Sequence, residues 1–292
     1  MEYQVTHITE YEYFQPIGIC HNIAKLIVRD TADQHIVRTN INISPQPDRI
    51  NEYFDFFGNK VLYFAIQQEH KKLTVSIQSI IEKNSPSPIQ TNLYTDLAWN
   101  QIPALLSDPT SENIDALQFI AATDFTKPSD EIQHYALQSF TTGRSFFEAT
   151  KDLMLRIYTD FEFKPGSTNV ATPIIEVIKE RKGVCQDFAH LAIACILSVG
   201  LPARYISGYI ETEAPQGKEK LFGVDASHAW FSIYIPNRGW IDFDPTNNII
   251  PGQQHITIGW GRDYADITPL KGVIVSSGKH KLSVSVDVRK TR

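Results

Sequence analysis

The stretch Gly183-Val184-Cys185-Gln186-Asp187-Phe188-Ala189-His190-Leu191-Ala192-Ile193-Ala194-Cys195-Ile196-Leu197 decides how this chain is read. From Phe188 onward it is apolar almost all round, the pattern of a helix buried in the middle of its domain. Gly200-Leu201-Pro202 ends it, with glycine past the last turn and proline soon after. Cys185 therefore falls in the first turn, beside a glycine that lets the backbone approach closely. Unpaired N–H groups and the positive end of the helix dipole favour a thiolate at that place. The same N–H groups can donate to a developing oxyanion. Cys195, deeper in the apolar body, reads instead as a small buried hydrophobe.

A thiolate nucleophile needs a base. Of the nine histidines, only His228 lies in a segment that also offers an orienting carboxylate at short range. Ala229, Phe231, Ile233 and Ile235 form one apolar strand face, and His228, Trp230, Ser232 and Tyr234 form the other. Pro236-Asn237-Arg238-Gly239 reads as a turn and Trp240-Ile241-Asp242-Phe243-Asp244 as the returning strand. With a loop over 235–239, Tyr234 faces Trp240 and Trp230 faces Asp244, which makes Asp244 the diagonal neighbour of His228. A slip of one residue would put the two on opposite faces. Asp242 shares the face of Asp244, so strand parity leaves both as candidates. A metal centre is the weaker reading: Cys185, His190 and Cys195 scatter around their helix and do not converge on one ion. Asp187 and His190, at i and i+3, supply two ligands only. No metal and no other cofactor is expected.

Outward from this centre the chain changes texture twice. Residues 1–84 read as strands: Tyr3, Val5, His7, Thr9, Tyr11 and Tyr13 alternate with a second set, 36–44 alternates again, and Phe57-Gly58-Asn59-Lys60 is a turn. This is expected to be a β-rich, sandwich-like domain. Asn84-Ser85-Pro86-Ser87-Pro88 reads as a linker. Helices follow: Ser129-Asp130-Glu131 starts one over 132–140, 145–161 carries a second, and Thr172-Pro173 caps a third over 174–182, with proline at the first helical position. From Tyr205 the text returns to strands, ending in Leu282, Val284, Val286 and Val288. The expected fold class is α+β, divided into a β-rich domain at 1–84, a linker and helical connection at 85–145, and a catalytic core with C-terminal strands at 146–292.

Composition narrows the function class. The 292 residues are 42% hydrophobic and 21% charged, enough to bury a large core without a disulfide or metal staple. A net charge of −6 with no basic run argues against nucleic acid or an anionic membrane as partner. No stretch reaches the roughly 18 apolar residues of a membrane span, and the N-terminus lacks the layout of a signal peptide. Three cysteines without a CxxC pair suit a reducing compartment, so a cytoplasmic location is expected.

Three motifs carry a family resemblance. Gly183 to His190, then Gly200-Leu201-Pro202-Ala203-Arg204-Tyr205 and Ser207-Gly208-Tyr209, resemble the nucleophile region of bacterial transglutaminase-like proteins. Asp225-Ala226-Ser227-His228-Ala229-Trp230 resembles their histidine motif, and Gly239-Trp240-Ile241-Asp242-Phe243-Asp244-Pro245-Thr246-Asn247 their aspartate motif. Residues 261–267 and the strands after them are similar to the family's C-terminal extension, and 3–84 to its β-rich N-terminal domain. The resemblance implies a papain-like α+β core with Cys185 as nucleophile, His228 as base and Asp244, rather than Asp242, as the orienting carboxylate. It leaves the second oxyanion donor unassigned. It also implies acyl transfer from peptide or glutamine-type amides through a Cys thioester, on a peptide or protein substrate. Water as acceptor gives a cysteine peptidase or amidase, which is the expected outcome. A primary amine gives a cross-linking transglutaminase, and a non-catalytic binding module on the same fold is a further alternative. Trp230 and Trp240 flank the three residues as candidates for a wall against water, and the loop over 211–222 is expected to set specificity.

Overall fold

The computed structural model describes residues 1–84, 97–212, 226–274 and 278–291. Beyond Asn84, the expected linker lies outside the described residues, as do 213–222 of the expected specificity loop and Asp225 of the histidine motif.

Six strands open the chain: β1 (Glu2–Ile17), β2 (Cys20–Ala24), β3 (Gln34–Ser44), β4 (Arg49–Phe54), β5 (Lys60–Ile66) and β6 (His70–Lys83). Their period-two pattern sets which face is covered, and in β1 the residues Tyr3, Val5, His7, Thr9 and Tyr13 are buried. Among the described residues six α-helices follow: α1 (Ile102–Leu106), α2 (Ser111–Leu117), α3 (Asp130–Leu137), α4 (Phe146–Asp160), α5 (Ile174–Glu180) and α6 (Cys185–Ser198). Two short strands, β7 (Glu162–Phe163) and β8 (Lys182–Gly183), pair in parallel between them. The chain closes with β9 (Ala203–Ile210), β10 (Ala226–Ile235), β11 (Gly239–Phe243), β12 (His255–Gly261), β13 (Leu270–Ile274) and β14 (His280–Lys290). No described helix is long and apolar enough to cross a membrane.

The helix ends follow from capping chemistry. Ser129 and Ser145 accept hydrogen bonds from the N–H groups of Ile132 and Glu148, at 3.3 and 3.1 Å, and so start α3 and α4. Pro173 differs from its expected place: it is the capping residue itself, and α5 begins after it at Ile174. That helix also stops sooner than its apolar pattern suggests, because Arg181 turns left-handed at φ 53° and hands Lys182 to β8.

Sheet order departs from the expected division. One four-stranded sheet runs β14-β1-β6-β3, a second β13-β2-β5-β4, and a third β11-β10-β9-β12. The first two share a core that includes Ile17, Leu62, Phe64, Leu73 and Val75, which makes them a sandwich. The C-terminal strands, expected with the catalytic core, thus belong to the N-terminal sheets: Val288 lies opposite Val5, and Val273 opposite His21. The helices of the expected connection, in turn, belong to the core. Ile102, Leu106, Ala116, Ile132 and Tyr135 pack in one cluster with α4 and α6. Alternation tells which face of a strand is buried, but not which neighbour supplies its backbone partners.

Asn59 ties the sandwich to the third sheet. Its side-chain N–H donates to the carbonyl of Trp260 at 2.7 Å while its oxygen accepts from the Trp260 N–H at 3.0 Å. Residue 259 has to be glycine here, because a Cβ would run into the Asn59 amide.

Candidate active site

Cys185 is the first residue of α6, a helix whose body from Phe188 to Leu197 is buried. The first intrahelical bond runs from the Phe188 N–H to the Val184 carbonyl at 3.1 Å, so the N–H groups of Cys185, Gln186 and Asp187 have no acceptor within the helix. Asp187 secures this entry. Its Oδ2 accepts from the Val184 N–H at 2.8 Å and from the Thr168 hydroxyl at 2.6 Å. Gly183 beside it is held close: a Cβ there would lie 2.9 Å from that side chain. Burial raises the pKa of Asp187, and its two donors work against that shift. Cys185 keeps partial exposure, whereas Cys20 and Cys195 are fully buried.

The β10–β11 hairpin has the register set by the four-residue turn. Tyr234 lies opposite Trp240, Ser232 opposite Asp242, and Phe231 opposite Phe243. Asn237 and Gly239 take the positive φ values, 64° and 87°, that this tight reversal needs. Asp244 follows the last pair and turns inward, bridged to Ile249. It meets His228 as the diagonal geometry requires: His228 Nε2 is 2.8 Å from Asp244 Oδ2. Cys185 lies beside the same imidazole and interacts with it electrostatically. With Nε2 on the carboxylate, Nδ1 is the nitrogen left for the sulfur. The structure therefore brings Cys185, His228 and Asp244 together.

Asp242 has different work. It accepts from Trp230 Nε1 at 2.9 Å and from the Ser232 hydroxyl, which removes it as a partner for His228. His190, the other histidine of the nucleophile region, is buried and accepts from the Tyr264 N–H at 3.1 Å. Burial pushes its pKa down to about 3. It pins the loop after β12 and stands apart from the cluster.

Two further residues complete the surroundings of Asp244. His255, on β12, places Nε2 3.0 Å from Asp244 Oδ2, the oxygen that His228 uses. Asn247 donates its side-chain N–H to that oxygen at 2.7 Å, and the Thr246 and Asn247 backbone N–H groups reach Oδ1 at 3.0 and 3.2 Å. Because an ionised carboxylate only accepts, both imidazoles present N–H at Nε2. Asn247 stood inside the aspartate motif without a role. His255 carries no sequence signal at all, since its strand reaches the site only by pairing with β9.

Charge in this cluster follows from the pairing. Burial by itself would lower the His228 pKa, but the bond to Asp244 and the neighbouring Cys185 raise it to about 10. Burial would likewise raise Asp244, yet His228, His255 and Asn247 hold its carboxyl well below the usual range. His228, Asp244 and His255 are also the described group that has the makings of a cation site, with ligand atoms within 4.8 Å of one another. Their hydrogen bonds already account for that closeness.

A helix-borne cysteine facing a His–Asp pair on an adjoining sheet, below a β-sandwich, defines a transglutaminase-like protein. The chain belongs to the transglutaminase-like superfamily: residues 133–245 match the family described by that name, and residues 3–82 match the bacterial transglutaminase-like N-terminal region. Among relatives, an uncharacterized protein of Mycobacterium tuberculosis (strain H37Rv) is 38% identical over 297 residues, covering 98% of this chain and 92% of its own. A solved structure of a proposed cysteine protease from Cytophaga hutchinsonii has a TM-score of 0.78 at 23% identity, covering 100% of this chain and 91% of that one. At that identity the likeness establishes the fold. A protein-glutamine gamma-glutamyltransferase of Pseudomonas aeruginosa (strain PAO1) is 29% identical over 92 residues, which is 31% of this chain and 14% of that protein.

Proposed function

We propose that this protein is a thiol-dependent acyl-transfer enzyme in which Cys185, His228 and Asp244 form a catalytic triad acting on peptide or glutamine-type amides. The observation that carries the reading is the 2.8 Å bond from His228 to a fully buried Asp244, made by an imidazole beside Cys185. The Cys185 sulfur attacks the amide carbonyl and forms a C–S bond. The carbonyl electrons move to oxygen, which the N–H of Cys185 and its helix-start neighbours receive. When the tetrahedral species collapses, the C–N bond breaks and His228 passes its proton to the departing amine. Water then adds to the thioester carbonyl and gives up a proton to His228; the C–S bond breaks, His228 returns that proton to sulfur, and the carboxylic acid leaves. Asp244 keeps the imidazole in one orientation throughout.

Water is the acceptor we favour. Of the two indoles flanking the triad in sequence, Trp230 lies beside His228, while Trp240 lies against Arg204 and Tyr234. Cys185 retains partial exposure. A primary amine is the second reading, and the stretch similar to the Pseudomonas gamma-glutamyltransferase favours it. Trapping the acyl-enzyme from a peptide library, with mass spectrometry of the Cys185 peptide, tests the shared step. An acyl adduct on Cys185 that water discharges supports hydrolysis, and incorporation of a labelled primary amine supports transfer. If no adduct forms with any library member, the enzymatic reading fails.

A further inference from the structure

Between the sandwich and the third sheet lies a cavity of about 610 Å³, within the range of ~300–1,000 Å³ usual for small-ligand sites. Its lining includes Trp230, Trp240 and Trp260, three of the four tryptophans of the chain. Arg204 sits between two of them. Its guanidinium carbon is 4.2 Å from the Trp240 ring centre and 3.9 Å from that of Trp260. Arg204 pairs opposite Ser232 on β10, so it shares the sheet face of Trp230 and His228.

Three cations line the cavity, and two of them are committed. Arg29 donates to the Phe57 carbonyl at 2.7 Å and to Asn59 Oδ1 at 3.0 Å. Lys83 holds Asp33 at 2.7 Å. Arg204 differs: it is 9% exposed and its buried Nε has no hydrogen-bond partner. Asp242, its electrostatic neighbour, gives its oxygens to Trp230 and Ser232. A desolvated guanidinium with an unmet Nε–H is costly unless an acceptor arrives, and its planar fork matches a carboxylate. Asp115, exposed on α2, stands at the rim and opposes a polyanion. The indole walls favour an aromatic or apolar body.

We infer that this cavity binds a monocarboxylate with an aromatic or apolar body, as at the C-terminal residue of a peptide, with its carboxylate on Arg204 and its body against the aromatic side chains of the wall. Trp230 and His255 form part of the cavity wall and also touch the proposed triad, so the two sites adjoin. The carboxylate belongs either to the substrate itself or to a separate small acid, and the chemistry of recognition is the same.

The test is a titration of N-acetyl-L-phenylalanine, followed by tryptophan fluorescence and by calorimetry, with the neutral N-acetyl-L-phenylalaninamide alongside. Saturable binding is expected, with the amide at least about tenfold weaker, the size of one charged hydrogen bond lost. Arg204→Gln is expected to weaken binding by about the same factor. Because Arg204 is buried and its replacement risks the fold, Ala32→Glu supplies a second variant: this exposed residue on the cavity wall adds a competing carboxylate and should also weaken binding several-fold. Repeating the titration in Cys185→Ala separates the site from the proposed chemistry, since binding is expected to persist there. If activity is present, a rise in KM alone with the added acid indicates the substrate's own carboxylate, and a change in kcat indicates a separate effector. Absence of saturable binding to the native protein overturns the inference. So does equal binding of acid and amide, or binding indifferent to both variants.

Discussion

His255 donates its Nε2–H to Asp244 Oδ2 at 3.0 Å, the same oxygen that holds His228 at 2.8 Å. One buried carboxylate thus anchors two imidazoles from different strands, and His228 also lies beside Cys185. His255 is packed edge-on against Trp230, with ring centres 5.2 Å apart and planes at 84°. We assign it the part of a positioning residue that fixes the carboxylate which in turn fixes His228.

Replacing His255 by leucine removes one of the donors that hold the Asp244 pKa down. The carboxyl should titrate higher, and the acidic limb of the kcat/KM profile should move up in pH. The kcat should fall about tenfold, in line with one hydrogen bond to a charged group. A purely structural role would lower the melting temperature and leave that limb in place, so a pH–rate series with a thermal melt decides the matter.

The three thiols should separate cleanly in reactivity. Burial pushes Cys195 up to about 12 and also raises Cys20, while Cys185 is partly exposed at the start of α6. Iodoacetamide near neutral pH should therefore label Cys185 first, as read by peptide mapping. Cys185→Ala should lower turnover by about a thousandfold or more. Comparable labelling of all three would count against the proposed nucleophile.

Stability should depend on pH through the His228–Asp244 pair. His228 has its folded pKa raised from 6.5 to about 10, so its contribution is complete below the lower value and fades as pH rises through the higher one. Asp244 is depressed below its ordinary 3.8, so its contribution is present above that value and fades as pH falls through the folded one. Thermal melts should be highest between these windows and decline on the alkaline side toward about 10. Asp244→Asn should flatten the alkaline decline, because one of the two groups that raise His228 is then neutral.

Asn59→Ala should destabilise the fold by about 2–3 kcal/mol, as it leaves the Trp260 N–H and carbonyl without their side-chain partner. The loss belongs to the seam between sandwich and third sheet, and a urea denaturation curve measures it.

Gly208→Ala tests how tightly the floor of the site is packed. Gly208 pairs opposite His228, and a Cβ there collides with the Ile256 carbonyl and the Trp230 ring. Overpacking of this kind costs about 1–3 kcal/mol. Because Trp230 lies against the His228 ring, kcat should drop as well, and a variant of native stability and rate would contradict the packing described here.

How much of this was legible beforehand depends on the range of the interaction. The buried helix with Cys185 at its start follows from an apolar run and its flanking glycines, which are local signals. The hairpin register follows from turn length, and that register already put His228 diagonal to Asp244. Strand parity left Asp242 open; in the structure Asp242 accepts from Trp230 and Ser232, while Asp244 bonds His228. His255 was out of reach of any spacing argument, as β12 joins the site only through its ladder with β9. The return of β13 and β14 to the sandwich was hidden for the same reason: backbone hydrogen bonds look alike for every partner, so alternation fixes a strand's face and not its neighbour. Sequence alone determined the place of Cys185 at the start of a buried helix and the hairpin that carries His228 and Asp244. Only the tertiary structure decided which distant groups complete the surroundings of Asp244, because those contacts arise when separate strands are brought into one sheet and desolvated together.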